Sequence, residues 1–408
     1  MKRKERMICG LDVGTWKTCI IIARADEKGE LEVLHSGLCR SIGLAKGMVV
    51  DHSEVVKSIR LALDAVESKS DITVNHVVAG ISGSHIRSRN LQGTVQVQGK
   101  HSEVTAKDVE NVIRAAQSSL ISEDCDLIHI LPLEFVVNNQ RGIKNPVGMS
   151  GTRLDIRLHI ISCDGAHCQS LINAANKAKI GVERIILQSI ASGEAVLTDD
   201  EKEFGAVVVD IGSGTTDIAV FFNNTVCFAS VIPVGGEHFT MDLVAALHIS
   251  REEAEKIKIE YGSVLPEQVM PDEKVAGKRL GTEETYEYPR EELCGYLYCR
   301  GAELLEFVRD AIRQCGIGYR HLSNVVFTGG GSMMGGMLEL AESILEMPVR
   351  QGFPRGFLGL EEELLHPMYA SAVGLAILEA KKATFNDFLT KTPLSRSWIE
   401  KFMGWLER

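Results

Sequence analysis

Two aspartates, Asp210 and Asp12, head the stretches most able to do chemistry. Asp210 opens the run Asp210-Ile211-Gly212-Ser213-Gly214-Thr215-Thr216-Asp217, which follows Val207–Val209 and gives way to an apolar segment from Ile218 to Phe222. A buried strand, a glycine-rich turn and a second strand make a hairpin whose tip has several free backbone N–H groups. Glycine lets that backbone approach a ligand closely and take φ > 0 where a turn requires it, and Ser213, Thr215 and Thr216 add hydroxyl donors. Such a tip suits a di- or triphosphate, with Asp210 holding the water shell of Mg2+. An ordinary tight hairpin is the competing reading of this segment alone.

The same order recurs near the start, in Ile8-Cys9-Gly10-Leu11-Asp12-Val13-Gly14-Thr15-Trp16-Lys17-Thr18 followed by Cys19–Ala23. Two such hairpins in two halves of one chain can grip a phosphate tail from opposite sides. A third cluster, Gly329-Gly330-Gly331-Ser332-Met333, follows the strand-like Asn324–Phe327 and precedes a helical pattern from Met337 to Leu345. A strand that feeds a glycine turn and a helix N-terminus can receive the rest of a nucleotide. One such motif is weak, but three in this order are not.

Positioning three loops around one ligand needs two α/β halves, and 408 residues exceed what one core usually serves. In the first half the pattern predicts a helix from Glu54 to about Ser68 capped by Ser53, and a buried strand over His76–Ile81. From about Ser82 to Ser162 the texture becomes α+β, with an edge strand over Leu91–Gln98, a helix opened by a Thr105/Asp108 capping box, and strands over Ile128–Val137 and Leu154–Ile161. A helix from Asp164 to Ile180 leads into a strand at Arg184–Leu187. In the second half, Ser250 and Glu253 start a helix over Arg251–Tyr261. Glu255 and Lys258, three apart, share one face of it, either as a solvated ion pair or as nucleotide contacts. Residues 263–290 read as loop-rich. Glu291–Cys315 reads as a long helix with Leu293, Leu297, Leu304, Val308 and Ile312 inside, which leaves Arg290, Arg300 and Glu303 without an inward role.

Together these motifs resemble the actin, heat-shock chaperone and sugar kinase superfamily, with Leu187–Leu197 and Tyr369–Ala376 as its two connecting helices, rich in small residues. Within that superfamily the whole chain resembles the FtsA family of bacterial actin-like cell-division proteins, also through Gly80–Ile86, Ala254–Lys258 and the C-terminal tail. The resemblance implies an actin-like (ribonuclease H-like) two-domain ATPase fold. Its first domain would span residues 1–204, with a small subdomain inserted at about 82–162, and its second 205–380, with an upper subdomain at about 245–322. A linker (381–394) and an amphipathic helix (395–408) would follow.

The resemblance also implies Mg2+ and ATP held by Gly14, Thr15, Trp16 and Lys17 on one side and Gly212, Ser213, Gly214 and Thr215 on the other. Asp12 and Asp210 would order the metal's waters, Glu255 and Lys258 would lie over ribose and base, and Gly330, Gly331 and Met333 would border the adenine. Trp16 is bulkier than the residue usual there. Gln188 takes the water-orienting position, so the expected activity is slow hydrolysis at most, in a chain that is mainly a scaffold. The implied role is a self-associating polymer on the cytoplasmic face of the cell membrane at the division site. It would tether the FtsZ ring through the FtsZ C-terminal peptide and help recruit later division proteins. Arg300 matches the place where the family presents a basic residue to that peptide, with Glu303 beside it; a solvated arginine is the alternative. A small-molecule kinase would need a cleft carboxylate base and usually a larger insert, and a chaperone a C-terminal substrate domain. A pilus-type actin-like assembly protein is the nearer alternative, against which the tail speaks.

A net charge of −11 argues against nucleic acid, which rewards basic surfaces. It also requires any membrane contact to be a local device. The basic start Met1–Arg6 is not expected to open a signal peptide, because Asp12 and Lys17 interrupt the apolar run, and no uninterrupted stretch is long enough to span a bilayer. The ten cysteines are expected as free buried thiols, Cys163 and Cys168 included, and not as metal ligands. After a Pro393-marked linker the chain ends SRSWIEKFMGWLER, with Trp398, Ile399, Phe402, Trp405 and Leu406 on one helical face. That face fits either a helix docked on the body or an interfacial membrane anchor. Full burial of five such side chains yields on the order of 7–12 kcal/mol, from which partial insertion and helix ordering subtract. Arg396, Lys401 and Arg408 nearly balance Glu400, Glu407 and the terminal carboxylate, so anionic lipid adds little. Such an anchor is weak alone and firm when many copies are linked.

Overall fold

The computed structural model describes residues 5–381 apart from 27–28, 99–101, 119–124, 282–283, 319–320 and 360–361. Strands β1 (Arg6–Val13), β2 (Lys17–Ala25) and β3 (Leu31–Arg40) form an antiparallel meander. A short hairpin, β4 (Leu44–Ala45) and β5 (Met48–Val49), leads into α1 (His52–Glu67), which returns the chain to β6 (His76–Ile81), parallel to β1. An inserted unit follows, with β7 (Arg87–Gln96), α2 (Ala106–Gln117), β8 (Cys125–Val137), β9 (Gln140–Ile143) and β10 (Arg153–Asp164). Its strands form their own sheet in the order β7-β10-β8-β9, covered by the apolar face of α2. Helix α3 (Gly165–Lys177) then brings β11 (Gly181–Leu187) parallel to β6, completing the sheet β11-β6-β1-β2-β3.

Helices α4 (Gln188–Val196) and α5 (Asp199–Phe204) lead to a second rendering of the same plan. Strands β12 (Ala206–Ile211), β13 (Thr216–Phe222) and β14 (Thr225–Ile232) make the meander. Helices α6 (Gly236–Leu247) and α7 (Arg251–Tyr261), the hairpin β15 (Lys274–Lys278) and β16 (Thr285–Pro289), and α8 (Arg290–Gln314) intervene. Strands β17 (Asn324–Thr328) and, after α9 (Met337–Leu345), β18 (Val349–Gln351) add in parallel, giving the order β14-β13-β12-β17-β18. Ile20–Ile22 and Val207–Val209 are fully buried, as the inner strands of a sheet covered on both faces must be, so these runs are continuously apolar and do not alternate. Helix α10 (Ala370–Ala380) crosses α4 between the two sheets.

Several sequence expectations are corrected here. Asp51, not Ser53, caps α1: its carboxylate accepts the N–H groups of Ser53 and Glu54 and also the Ser53 hydroxyl. A carboxylate two residues upstream outcompetes the serine for the helix's first free amides. Residues 263–290 are not all loop. Lys274–Lys278 pairs antiparallel with Thr285–Pro289, a hairpin too short and too charged to stand out by periodicity. Arg290 and Arg300 are not idle either. Arg290 donates to Glu273 (2.7 and 2.9 Å) and to the Tyr261 carbonyl (2.8 Å). Arg300 forks onto Asp242 of α6 (2.6 and 2.8 Å) and also pairs with Glu303. Finally, Cys163 and Cys168 are joined as a disulfide, because β10 runs straight into the first turn of α3 and brings the two sulfurs together.

Candidate functional site

The turns after β1 and β12 face each other at the mouth of the cleft between the two sheets. A Cβ placed on Gly214 would lie 2.6 Å from Thr15 Oγ1, so the two tips touch and only glycine fits there. The hairpin glycines themselves keep ordinary φ; the positive-φ glycines of the site are Gly47, at φ +75, and Gly329, at φ +81, which turns the chain out of β17. Behind the tips lies a cavity of about 420 Å³. Around it the fold gathers Asp12, Gly14, Thr15, Trp16, Lys17, Gln188, Asp210, Gly212, Ser213, Gly214, Thr215, Glu255, Lys258, Gly330, Gly331 and Met333; Thr216, offered as a further hydroxyl donor, is instead fully buried and donates to the Val234 carbonyl at 2.8 Å.

Asp12, at the end of β1, is held from both sides. Its Oδ2 accepts from Lys17 Nζ at 2.7 Å and its Oδ1 from Gln188 Nε2 at 2.6 Å. Asp210 occupies the equivalent place on β12, where its Oδ2 accepts from the hydroxyls of Ser192 on α4 and Ser371 (3.0 Å) on α10. Each carboxylate is therefore oriented by a connecting helix. Both are buried. Burial raises the Asp210 carboxyl above its usual range, against the two serine hydrogen bonds, and the charge of Asp12 adds to the rise. Burial opposes the charge on Lys17 too, but Asp12 outweighs it and holds the ammonium above its ordinary value.

A third carboxylate escaped the sequence reading, although Asp217 closes the very motif that Asp210 opens. It accepts from Ser82 Oγ (2.5 Å) and Thr215 Oγ1 (2.9 Å), and burial pushes it up to about 7, with Asp210 and Asp12 adding to the rise. With Lys258 taken up by Glu255, three buried carboxylates around Lys17 leave this part of the cavity short of positive charge, the environment that a divalent cation with its water shell relieves. Ser82, Phe239, His366, Met368 and Ser371 also line it unforeseen. Ser82 lies in the Gly80–Ile86 stretch and Ser371 in the Tyr369–Ala376 stretch that carried part of the resemblance, whereas Phe239, His366 and Met368 come from segments with no local signature.

A folded-state value near 7 for Asp217, against about 4 in the unfolded chain, means that the fold holds a proton the unfolded chain has released. Its contribution is therefore present at low pH and lost as pH rises from about 4 through about 7. Asp217→Asn is expected to flatten that part of the ligand-free stability profile. Calorimetric melts of both proteins at pH 5 and pH 8 check it, and an equal pH response in the two removes Asp217 as the cause.

At the far side, Lys258 Nζ reaches the Gly236 carbonyl (3.0 Å), Thr240 Oγ1 (2.9 Å) and Glu255 (2.7 Å), pinning α7 onto α6. Burial lowers the Lys258 ammonium although Glu255 opposes this. Glu255 and Lys258 are thus a largely buried ion pair, not a solvated one, and both line the cavity. Trp16 turns outward: it is 38% exposed, with the Arg40 guanidinium 4.7 Å over its ring.

The family model for cell division protein FtsA matches residues 207–374, and that for the SHS2 domain inserted in FtsA matches 83–162. Cell division protein FtsA of Pseudomonas aeruginosa is 37% identical over 377 residues, covering 92% of this chain and 90% of that protein. This chain belongs to the FtsA family of cell division proteins. The Escherichia coli K12 FtsA is 32% identical over 415 residues, covering 99% and 98%. Among solved structures, the PilM–PilN type IV pilus biogenesis complex aligns with a TM-score of 0.67 at 16% identity over 91% of this chain and 98% of that one. MreB5 of Spiroplasma citri bound to ADP aligns at 0.54 and 13% over 92% and 98%. These two likenesses establish the actin-like fold. The SHS2 match falls on the inserted sheet and its helix α2, the feature that sets this family's first half apart. No helix among the described residues is long and apolar enough to cross a membrane.

Proposed function

We propose that this FtsA-family chain binds Mg-ATP in the cleft, self-associates, and tethers the FtsZ ring to the cytoplasmic face of the cell membrane at the division site. The observation that carries the nucleotide reading is the pair of touching glycine hairpins backed by three buried carboxylates and Lys17. The backbone amides of Gly14–Lys17 and Gly212–Thr215 would take the phosphates. Bound Mg2+ would neutralise the cavity's carboxylates through its waters, with Asp12 and Asp210 nearest in kind to that task. Gln188, hydrogen-bonded to Asp12, would hold a water at the phosphate end, consistent with slow turnover in a protein whose main work is scaffolding. That MreB5 of the same fold has been solved with ADP and with AMPPNP supports a nucleotide in the corresponding cleft.

The tether is assigned to Trp398, Ile399, Phe402, Trp405 and Leu406, which lie outside the described residues. Trp405→Glu puts a charge into the apolar face and is expected to lower the vesicle-bound fraction at least about tenfold, the 1.4 kcal/mol equivalent. Pelleting with vesicles of phosphatidylethanolamine and phosphatidylglycerol checks it. A variant that still co-sediments like the wild type overturns the anchor.

For the FtsZ contact, Arg300 and Glu303 sit on α8 beside Asp242 of α6. Because Asp242 already takes the guanidinium fork, any carboxylate of the FtsZ C-terminal peptide would share or replace it. Arg300→Glu is expected to weaken binding of that peptide at least about tenfold, with the loss shrinking at high salt. Asp242→Asn keeps the arginine and is expected not to weaken it. Titration of a labelled peptide decides between a contact here and one elsewhere on the upper subdomain, which equal affinity for Arg300→Glu and wild type would indicate. Contacts with later division proteins are assigned to the inserted unit.

A further inference from the structure

A second cavity, of about 710 Å³, opens between the inserted unit and the outer end of the second sheet, far from the phosphate hairpins. Its floor is apolar, built from Leu133 and Phe135 of β8, Phe222 of β13 and Ile317 after α8. Its rim carries balanced charge, with Lys144 and Arg157 against Glu134 and Glu203. An apolar floor inside a polar rim is the receptor half of a helix-in-groove contact. Within it, Thr225 Oγ1 is buried with no hydrogen-bond partner among the described residues.

We propose that the amphipathic segment 395–408 docks in this groove of its own chain whenever no membrane takes it. The inference rests on reading that segment as an amphipathic helix, not on its lipid affinity. The last described residue is linked toward the groove through one shared carboxylate: Lys381 Nζ is 3.5 Å from Glu194, which also accepts from Lys202 Nζ at 2.8 Å, and Glu203, the residue after Lys202, lines the rim. From there residues 382–394 span up to about 45 Å when extended, ample to seat the helix. The segment supplies what the groove lacks: an apolar face of two tryptophans, a phenylalanine and two aliphatic residues, edged by near-balanced Arg396, Lys401, Glu400 and Glu407. The same apolar face cannot lie in lipid and in the groove at once, so docking competes with membrane binding. The apparent lipid affinity of a free copy falls by the fraction left undocked.

Hydrogen exchange on the full chain tests this. Without lipid, amides of residues 222–225 and 315–317 are expected to exchange at least about fivefold faster in Trp405→Glu than in wild type. Vesicles of phosphatidylethanolamine and phosphatidylglycerol are expected to bring the wild type to the variant's rate. Ile317→Arg, which spoils the floor and leaves the nucleotide cleft untouched, is expected to raise the vesicle-bound fraction at limiting lipid about threefold. Leu133→Arg serves as the second variant if that one fails to fold. Equal exchange in wild type and Trp405→Glu overturns the docking, and, for a chain that pellets, an unchanged partition in both groove variants overturns the choice of this groove. Loss of pelleting in every variant with the exchange difference intact overturns the membrane tether alone.

Discussion

Gly212→Asp is expected to lower the affinity for Mg-ATP at least about a hundredfold, or 2.7 kcal/mol, while leaving the fold intact. Gly212 lies at a hairpin tip with φ outside the left-handed region, and a Cβ there meets only the Thr215 carbonyl, at 3.2 Å. Backbone strain is therefore small and the effect must come from charge. The new carboxylate enters a cavity that already holds Asp12, Asp210, Asp217 and Glu255 against two ammonium groups, Lys17 paired with Asp12 and Lys258 paired with Glu255. Two like charges about 5 Å apart at an effective dielectric near 20 repel by roughly 3 kcal/mol, and a polyphosphate carries several charges. Isothermal titration with and without Mg2+ reads the loss, and far-ultraviolet dichroism shows whether the fold survives. An affinity equal to wild type would place the nucleotide outside this cleft and remove the basis for assigning Asp12, Asp210 and Gln188 to it.

The hairpins were legible in the sequence because everything that defines them is local. An apolar run long enough only for a strand, then Asp-x-Gly with hydroxyl residues, then another strand, leaves few alternatives, and twice over it also points to the duplicated sheet. The Thr105–Asp108 capping box was legible for the same reason. Much of what failed depended on partners distant in sequence. Arg300 has its fork in Asp242, fifty-eight positions away on another helix, so no pattern within α8 could show it engaged. Asp217 has its value set by burial beneath both halves and by Ser82 of the first sheet's last turn. Asp51 displaced Ser53 as a cap through a preference between two good candidates, which composition alone does not rank.

The larger structural effect is expected at Gly374. Helices α4 and α10 connect the two halves, and they cross with the backbones almost in contact: a Cβ on Gly374 would sit 1.8 Å from the Ala191 carbonyl oxygen. No side-chain rotation relieves a clash between a Cβ and a backbone oxygen, so the helices must part by more than about 1 Å, and a close-packed core transmits that shift. Neither helix can move alone, since α10 also lies on β1, where a Cβ on Gly10 would be 3.1 Å from the Ala372 carbonyl. Ser192 and Ser371, which orient Asp210, ride on these same helices, so parting them also loosens the site. Gly374→Ala is therefore expected to destabilise by about 3 kcal/mol or more, at the upper end of overpacking effects, and to weaken nucleotide binding. The same substitution at Gly295, in the second turn of α8 with nothing within 4 Å of its Cβ, is expected to stabilise by about 0.5–1 kcal/mol, because alanine loses less backbone entropy on folding. Thermal melts of the pair isolate the crossing from any general intolerance of glycine replacement. Stabilisation by both would mean that the two helices have room to spare, and destabilisation by both would indicate a general intolerance of glycine replacement.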